Sequence, residues 1–302
     1  MDHSFILKTT DLSFHYTKDV KTLSAINLHV IKGSIYGFLG PNGSGKTTTL
    51  SLLLGLLKMQ EGKIEIFGQE MHTDRCGILK KTGSLIESPS LYGHLNAREN
   101  LEVYKPVYGV TNERITEVLK IAGLEDAGKK TVKKFSLGMK QRLSIALAIL
   151  HKPELLILDE PSNGLDPNGI IELRELIRKL NKVYGMTILI SSHILAEVEK
   201  MVSHVGIINK GQMLFQGTIR ELQQLQQKDA MLQIHTSDNE KAYQSLKAYM
   251  PEREKERIVV AYKDPHQVAS INRILIQNNL DVYLLAPAEN NLEQLFINLT
   301  SN

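Results

Sequence analysis

Gly40-Pro41-Asn42-Gly43-Ser44-Gly45-Lys46-Thr47 is the stretch that decides the fold. A glycine, four residues and then Gly-Lys-Thr is the spacing of a P-loop. Its glycines let the backbone curl until successive N–H groups point inward at phosphate oxygens. The helix that follows adds its positive N-terminal end. Lys46 is suited to neutralise the β- and γ-phosphates of a nucleoside triphosphate, and the Thr47 hydroxyl to ligate Mg²⁺. The flanks carry equal weight. Ile35-Tyr36-Gly37-Phe38-Leu39, introduced by Gly33, is an apolar run of buried-strand type, and Thr47–Leu56 reads as a helix. A chance glycine-rich turn would lack both neighbours.

Outward from this loop, Leu155-Leu156-Ile157-Leu158 is a second interior strand, and it ends in Asp159-Glu160. An apolar strand has no structural need to finish on two carboxylates unless a cation or a proton-transfer task waits there. Alone, such an end is an ordinary helix cap or surface turn. Downstream of a P-loop, Asp159 is expected to hold Mg²⁺ and Glu160 to polarise an attacking water. A third apolar strand, Thr187–Ile190, runs through Ser191-Ser192 into His193. The carboxyl ends of strands converge on the ligand crevice of a doubly wound sheet, where a histidine can bond the γ-phosphate.

The remaining pattern predicts strands at Phe5–Thr10, Leu12–Tyr16 and Ile26–Val30, and a helix over Ile170–Tyr184. The alternation implies a parallel sheet covered by helices. Asn96–Tyr108, Glu113–Ala122 and Leu137–Leu150 read as three helices with no strand between them, a helical insert over about residues 88–150. A glutamine-rich stretch, Gln223–Lys228, closes the first unit, 1–228. Residues 229–302 alternate strand and helix (Met231–Thr236, Glu240–Tyr249, Ile258–Tyr262, Val268–Asn278, Val282–Ala286, Leu292–Leu299), a small α+β domain without a chemical motif. The Glu252–Arg257 charge run reads as a solvated turn.

Composition narrows the class. With 36 basic and 33 acidic residues the net charge is +3, too balanced for a nucleic-acid footprint, and no nucleic-acid partner is expected. The first residues, Met1-Asp2-His3-Ser4, predict no secretory leader. The most apolar stretches, Leu52–Leu57 and Leu143–Leu150, fall far short of the ~18 consecutive apolar residues of a membrane span. The single cysteine, Cys76, is compatible with a reducing compartment.

Taken together these residues resemble the ABC transporter ATPase family, and Phe135-Ser136-Leu137-Gly138-Met139-Lys140-Gln141-Arg142 carries the resemblance furthest. It sits upstream of the Asp159-Glu160 strand, where the family has its Leu-Ser-Gly-Gly-Gln signature; Ser136 and Gly138 match, while Leu137 and Met139 depart. The resemblance spans about residues 5–225. It implies an α/β fold of the P-loop NTPase ABC type: a parallel-sheet core, an antiparallel β subdomain and a helical insert, followed here by the small α+β domain. It further implies ATP and Mg²⁺ as ligands, with Gly40, Pro41, Asn42, Gly43, Ser44, Gly45, Lys46, Thr47 and Thr48 on the phosphates. Tyr16 would stack on adenine, and Thr47, Asp159 and Glu87 would lie at the metal. Ser136 and Gly138 would face the γ-phosphate held by a second cassette, Asn163-Gly164-Leu165-Asp166 would contact that cassette, and His193 would be the switch histidine.

Glu87, in Leu85-Ile86-Glu87-Ser88-Pro89, stands where most of the family has glutamine. With the Phe-Ser-Leu-Gly-Met signature it is similar to the bacitracin and lantibiotic immunity branch of exporter ATPases, and Asn291–Phe296 to the tails of that wider group. The expected partners are an integral membrane subunit and a second cassette, and the expected place is the cytoplasmic face of the membrane. A GTP switch is disfavoured, because Asn181-Lys182-Val183-Tyr184 lacks the aspartate of a guanine reader. Ribosomal and DNA-repair relatives are disfavoured by the single uninterrupted cassette.

Overall fold

The computed structural model describes residues 5–17, 20–86, 91–228, 231–254, 257–287 and 300. The all-apolar runs are interior strands: β4 (Ile35–Leu39) and β8 (Leu155–Leu158) are buried at every position. They belong to a six-stranded sheet in the order β11-β10-β4-β9-β8-β7. Its other members are β7 (Thr82–Leu85), β9 (Thr187–Ser192), β10 (His204–Asn209) and β11 (Gln212–Thr218). All neighbours are parallel except the β10–β11 hairpin. Continuous burial without alternation is what a parallel sheet covered on both faces demands.

A second, five-stranded sheet holds β1 (Phe5–Thr17), β2 (Val20–Ile26), β3 (His29–Ile31), β5 (Glu61–Ile66) and β6 (Gln69–Glu70), paired antiparallel throughout. Here the sequence expectation needs two corrections. Phe5–Thr10 and Leu12–Tyr16 are one strand, kinked at Asp11, which has a left-handed φ of 47°. Ile26–Val30 is not one strand. The Asn27 side chain accepts the Asp11 N–H and donates to Ala25 O, so the chain turns there and β3 starts two residues on.

Helices α1 (Lys46–Leu53), α2 (Arg75–Lys80), α7 (Pro167–Tyr184) and α8 (Leu195–Val198) accompany these sheets, and α9 (Ile219–Lys228) opens the unit that follows. Between β7 and β8 lies the expected helical insert: α3 (Ala97–Glu102), α4 (Lys105–Tyr108), α5 (Asn112–Ile121) and α6 (Leu137–Ala148). The helix expected over Asn96–Tyr108 is two helices. Pro106 has no N–H to give and its ring crowds the preceding turn, so the first helix ends near Val103. Inside the insert, the buried Arg114 donates to Ile149 O and Leu150 O at 2.6 and 3.0 Å, closing the C-terminal end of α6 with a cation.

Contacts divide the chain into two units, Met1–Ile219 and Arg220–Asn302. The second contains a four-stranded antiparallel sheet in the order β13-β14-β12-β15, built from β12 (Met231–Thr236), β13 (Glu252–Glu254), β14 (Arg257–Ala261) and β15 (Val282–Pro287). Helices α10 (Asn239–Ser245) and α11 (Pro265–Gln277) complete a split β-α-β arrangement around Leu232, Ile234, Ile258, Val260, Ile271 and Leu275. The charge run read as a turn contributes an exposed edge strand at Glu252–Glu254. Leu292–Leu299 and the Asn291–Phe296 tail lie outside the described residues.

Candidate active site

Strand order places the chemistry. β4, β9 and β8 are adjacent and in register, Leu39 opposite Ser192 and Ile190 opposite Leu158, so the segments leaving their carboxyl ends share one edge of the sheet. Those segments are the P-loop, His193 and Asp159-Glu160.

The P-loop glycines are required by space and by backbone angle. A Cβ on Gly40 would lie 2.3 Å from Ile208 O and 2.5 Å from Ser44 Oγ. Gly45, the N-cap of α1, has φ 107°, where a side chain is strained. Lys46 is buried, its Nζ donating to Gly40 O at 2.7 Å and Pro41 O at 3.2 Å, which holds the ammonium at the mouth of the loop. The same Nζ pairs with Glu160 Oε1 at 3.1 Å. The other carboxylate oxygen, Glu160 Oε2, lies 2.7 Å from His193 Nδ1. Glu160 is thus bracketed by Lys46 and His193.

Thr47 Oγ1 donates to Asp159 Oδ2 at 2.8 Å, so two hard oxygens stand side by side where the sequence expects Mg²⁺. Such a donor set suits a hard divalent cation. Ser44 Oγ is buried without a hydrogen-bond partner inside the P-loop, an orphaned polar atom that a phosphate oxygen would satisfy. Tyr16 presents an exposed ring beside α1, its hydroxyl 3.3 Å from Thr48 Oγ1 and its edge against Phe14.

Two expected residues lie apart from this cluster. Ser136 is the N-cap of α6, its Oγ accepting the Met139 N–H at 3.2 Å. With Gly138 it lines an open groove of about 480 Å³ shared with Gly164, Leu165 and Asp166. A Cβ added to Gly138 would meet nothing nearer than 4.0 Å. Glu87 lies outside the described residues. Asp159 and Glu160 also border a cleft of about 700 Å³ walled on the insert side by Leu137, Lys140 and Gln141.

Sequence reading missed two hydroxyls. Ser191, fully buried at the end of β9, accepts the Glu160 N–H at 2.8 Å and donates to Asp159 Oδ1. Ser162 donates to Glu197 Oε2, tying the segment after Glu160 to α8. The one signal was Ser191-Ser192 closing an otherwise apolar run.

The family model described as ABC transporter matches residues 23–163. The chain is 45% identical to the bacitracin transport ATP-binding protein BcrA of Bacillus licheniformis, covering 98% of this chain and 97% of that one. It is 44% identical to the lantibiotic transport ATP-binding protein SrtF of Streptococcus pyogenes, over 70% of this chain and 90% of the relative. Among solved structures it is similar to a dimeric ATP-binding cassette in a post-hydrolysis state with ADP and Pi, with a TM-score of 0.63 and 25% identity over 71% of this chain and 99% of the other. Sequence, fold and phosphate cradle agree: the chain belongs to the ABC transporter family, as one of its ATP-binding, ATP-hydrolysing subunits.

Proposed function

We propose that this chain hydrolyses ATP at the seam of a cassette pair and powers export of peptide antibiotics of the bacitracin or lantibiotic kind through a separate membrane subunit. The cassette takes residues 1–228 and the accessory domain 229–302. One observation carries the chemistry: the Glu160 carboxylate is held between Lys46 and His193, beside the Thr47–Asp159 pair. The cargo rests on the relatives named for bacitracin and lantibiotic transport.

In this reading Gly40–Thr48 bind the triphosphate through backbone N–H groups, and Tyr16 offers its ring to adenine. Thr47 and Asp159, with the Glu87 that the sequence assigns to the metal, would hold Mg²⁺, which would neutralise charge on the β- and γ-phosphates. Glu160 takes the proton of the attacking water. His193 orients that carboxylate through Nδ1, leaving Nε2 for the γ-phosphate. Lys46 spreads the charge that develops in the transition state. Ser136 and Gly138 supply the helix-start N–H groups for a phosphate bound to the opposite chain. A Cβ on Gly138 would reach only ordinary contact, 4.0 Å from Gly169 Cα and Leu165 Cδ2, which supports this, since packing inside the chain does not explain the missing side chain.

The membrane subunit docks on the cytoplasmic side, on a groove of about 350 Å³ where Leu56, Leu85 and Ile86 meet Tyr104, Tyr108 and His151. No helix among the described residues is long and apolar enough to cross a membrane.

Glu160→Gln tests the central role. The amide keeps the shape and loses the base, so turnover should fall by ~10²–10⁴-fold while ATP is retained and the pair is trapped. ATPase activity at the wild-type rate in that variant would refute the assignment.

A further inference from the structure

The fully buried hydroxyl of Ser191 has no assigned part in the reaction, yet it touches both carboxylate residues. Its Oγ accepts the Glu160 N–H at 2.8 Å and gives its only proton to Asp159 Oδ1 at 2.5 Å. Glu160 sits at φ 46°, a left-handed angle that a non-glycine residue holds only when its surroundings impose it. Ser191 lies on β9, the strand between the P-loop strand and the Asp159 strand, opposite Phe38 in the ladder. A rigid central strand therefore carries the atom that sets the backbone from which Glu160 projects.

We propose that Ser191 is a positioning residue for hydrolysis. A single hydroxyl fixes the turn at Glu160 and the rotation of the Asp159 carboxylate together. Because Ser191 occupies Oδ1, the other oxygen, Oδ2, is the one turned to Thr47. Thr47 gives the Asp159 carboxylate a second, independent hold through Oδ2, so nucleotide binding should survive Ser191→Ala. The aim of the Glu160 carboxylate should not. A misplacement of about 1 Å at a reacting group is enough to cost rate on the order of 10²-fold.

The inference rests on Glu160 being the base, and the experiment separates the two. Full-length Ser191→Ala, assayed for ATPase turnover with its membrane subunit, should lose roughly 10- to 100-fold in kcat with KM for ATP changed less than about threefold. In the Glu160→Gln background the same change should cost less than about twofold more, because Ser191 acts through Glu160. Should Ser191→Ala fold poorly, Ser191→Cys, nearly the same size with a weaker donor, should fall between wild type and Glu160→Gln in kcat. Wild-type kcat in the folded Ala or Cys variant, a KM rise at constant kcat, or a multiplied loss in the double variant would each overturn the inference. Full turnover in Glu160→Gln alone would instead sink the reading of Glu160.

Discussion

The carboxyl end of the core sheet and the start of α6 both meet nucleotide in the proposed pair, and the chain completes them to different degrees. At the sheet end Lys46, Thr47, Asp159, Glu160, Ser191 and His193 are bonded to one another across three strands. At the helix start, Ser136 among the described residues bonds its own first turn, and Gly138 has room for a side chain that it does not carry. The far end of that helix is closed by the chain itself, through Arg114. One half-site is preorganised and the other is presented outward, the division of labour expected of the proposed two-fold pair.

Mixing two broken chains would test that contrast most severely. Lys46→Ala and Ser136→Arg should each lose turnover by ~10²-fold or more alone, since each removes transition-state stabilisation at every site of a homodimer. Mixed in equal amounts and allowed to exchange, they form pairs with one intact composite site, and up to about a quarter of wild-type ATPase should return. No recovery after demonstrated exchange would break the comparison.

A smaller effect sharpens it from the closed end. Arg114→Met removes the donors from Ile149 O and Leu150 O and leaves them buried, so stability should fall by ~2–3 kcal/mol in denaturant titration. Turnover per folded molecule should hardly change, because that end of α6 faces no nucleotide.

The smallest effect is a pH slope. Burial holds the His151 imidazole below its ordinary 6.5, opposed by the bond to Thr82 O and reinforced by Arg114. Its Nε2 reaches Thr82 O and its Nδ1 is buried without a partner, so the folded chain favours the neutral ring. The stability contributed is full above 6.5 and declines as pH falls from 6.5 through the lowered folded value, because the unfolded chain takes the proton first. His151→Phe, which keeps a ring against Tyr108, should flatten that acid limb in melting curves.

The site was legible where its chemistry is local. Eight consecutive residues announce the phosphate loop, and Asp159-Glu160 announce themselves by ending an apolar strand. Ser191 was not legible, because its partners are 31 and 32 residues away and a serine at a strand end has many ordinary uses. The interior strands could be read because burial on both faces leaves an unbroken apolar signature. Ile26–Val30 misled because a side chain, Asn27, took over the backbone's hydrogen bonds. The edge strand at Glu252–Glu254 misled because all three of its residues are exposed and charged, so no hydrophobic period marks it.

The strand order has a consequence for the newly made chain. β9 is synthesised after β4 and β8 yet lies between them. Until residues 187–192 leave the ribosome, the lysine and the aspartate have no common floor, and their strands would be roughly 10 Å apart with a slot between. The proposed site therefore cannot assemble before β9, which carries Ser191 and leads into His193, is made.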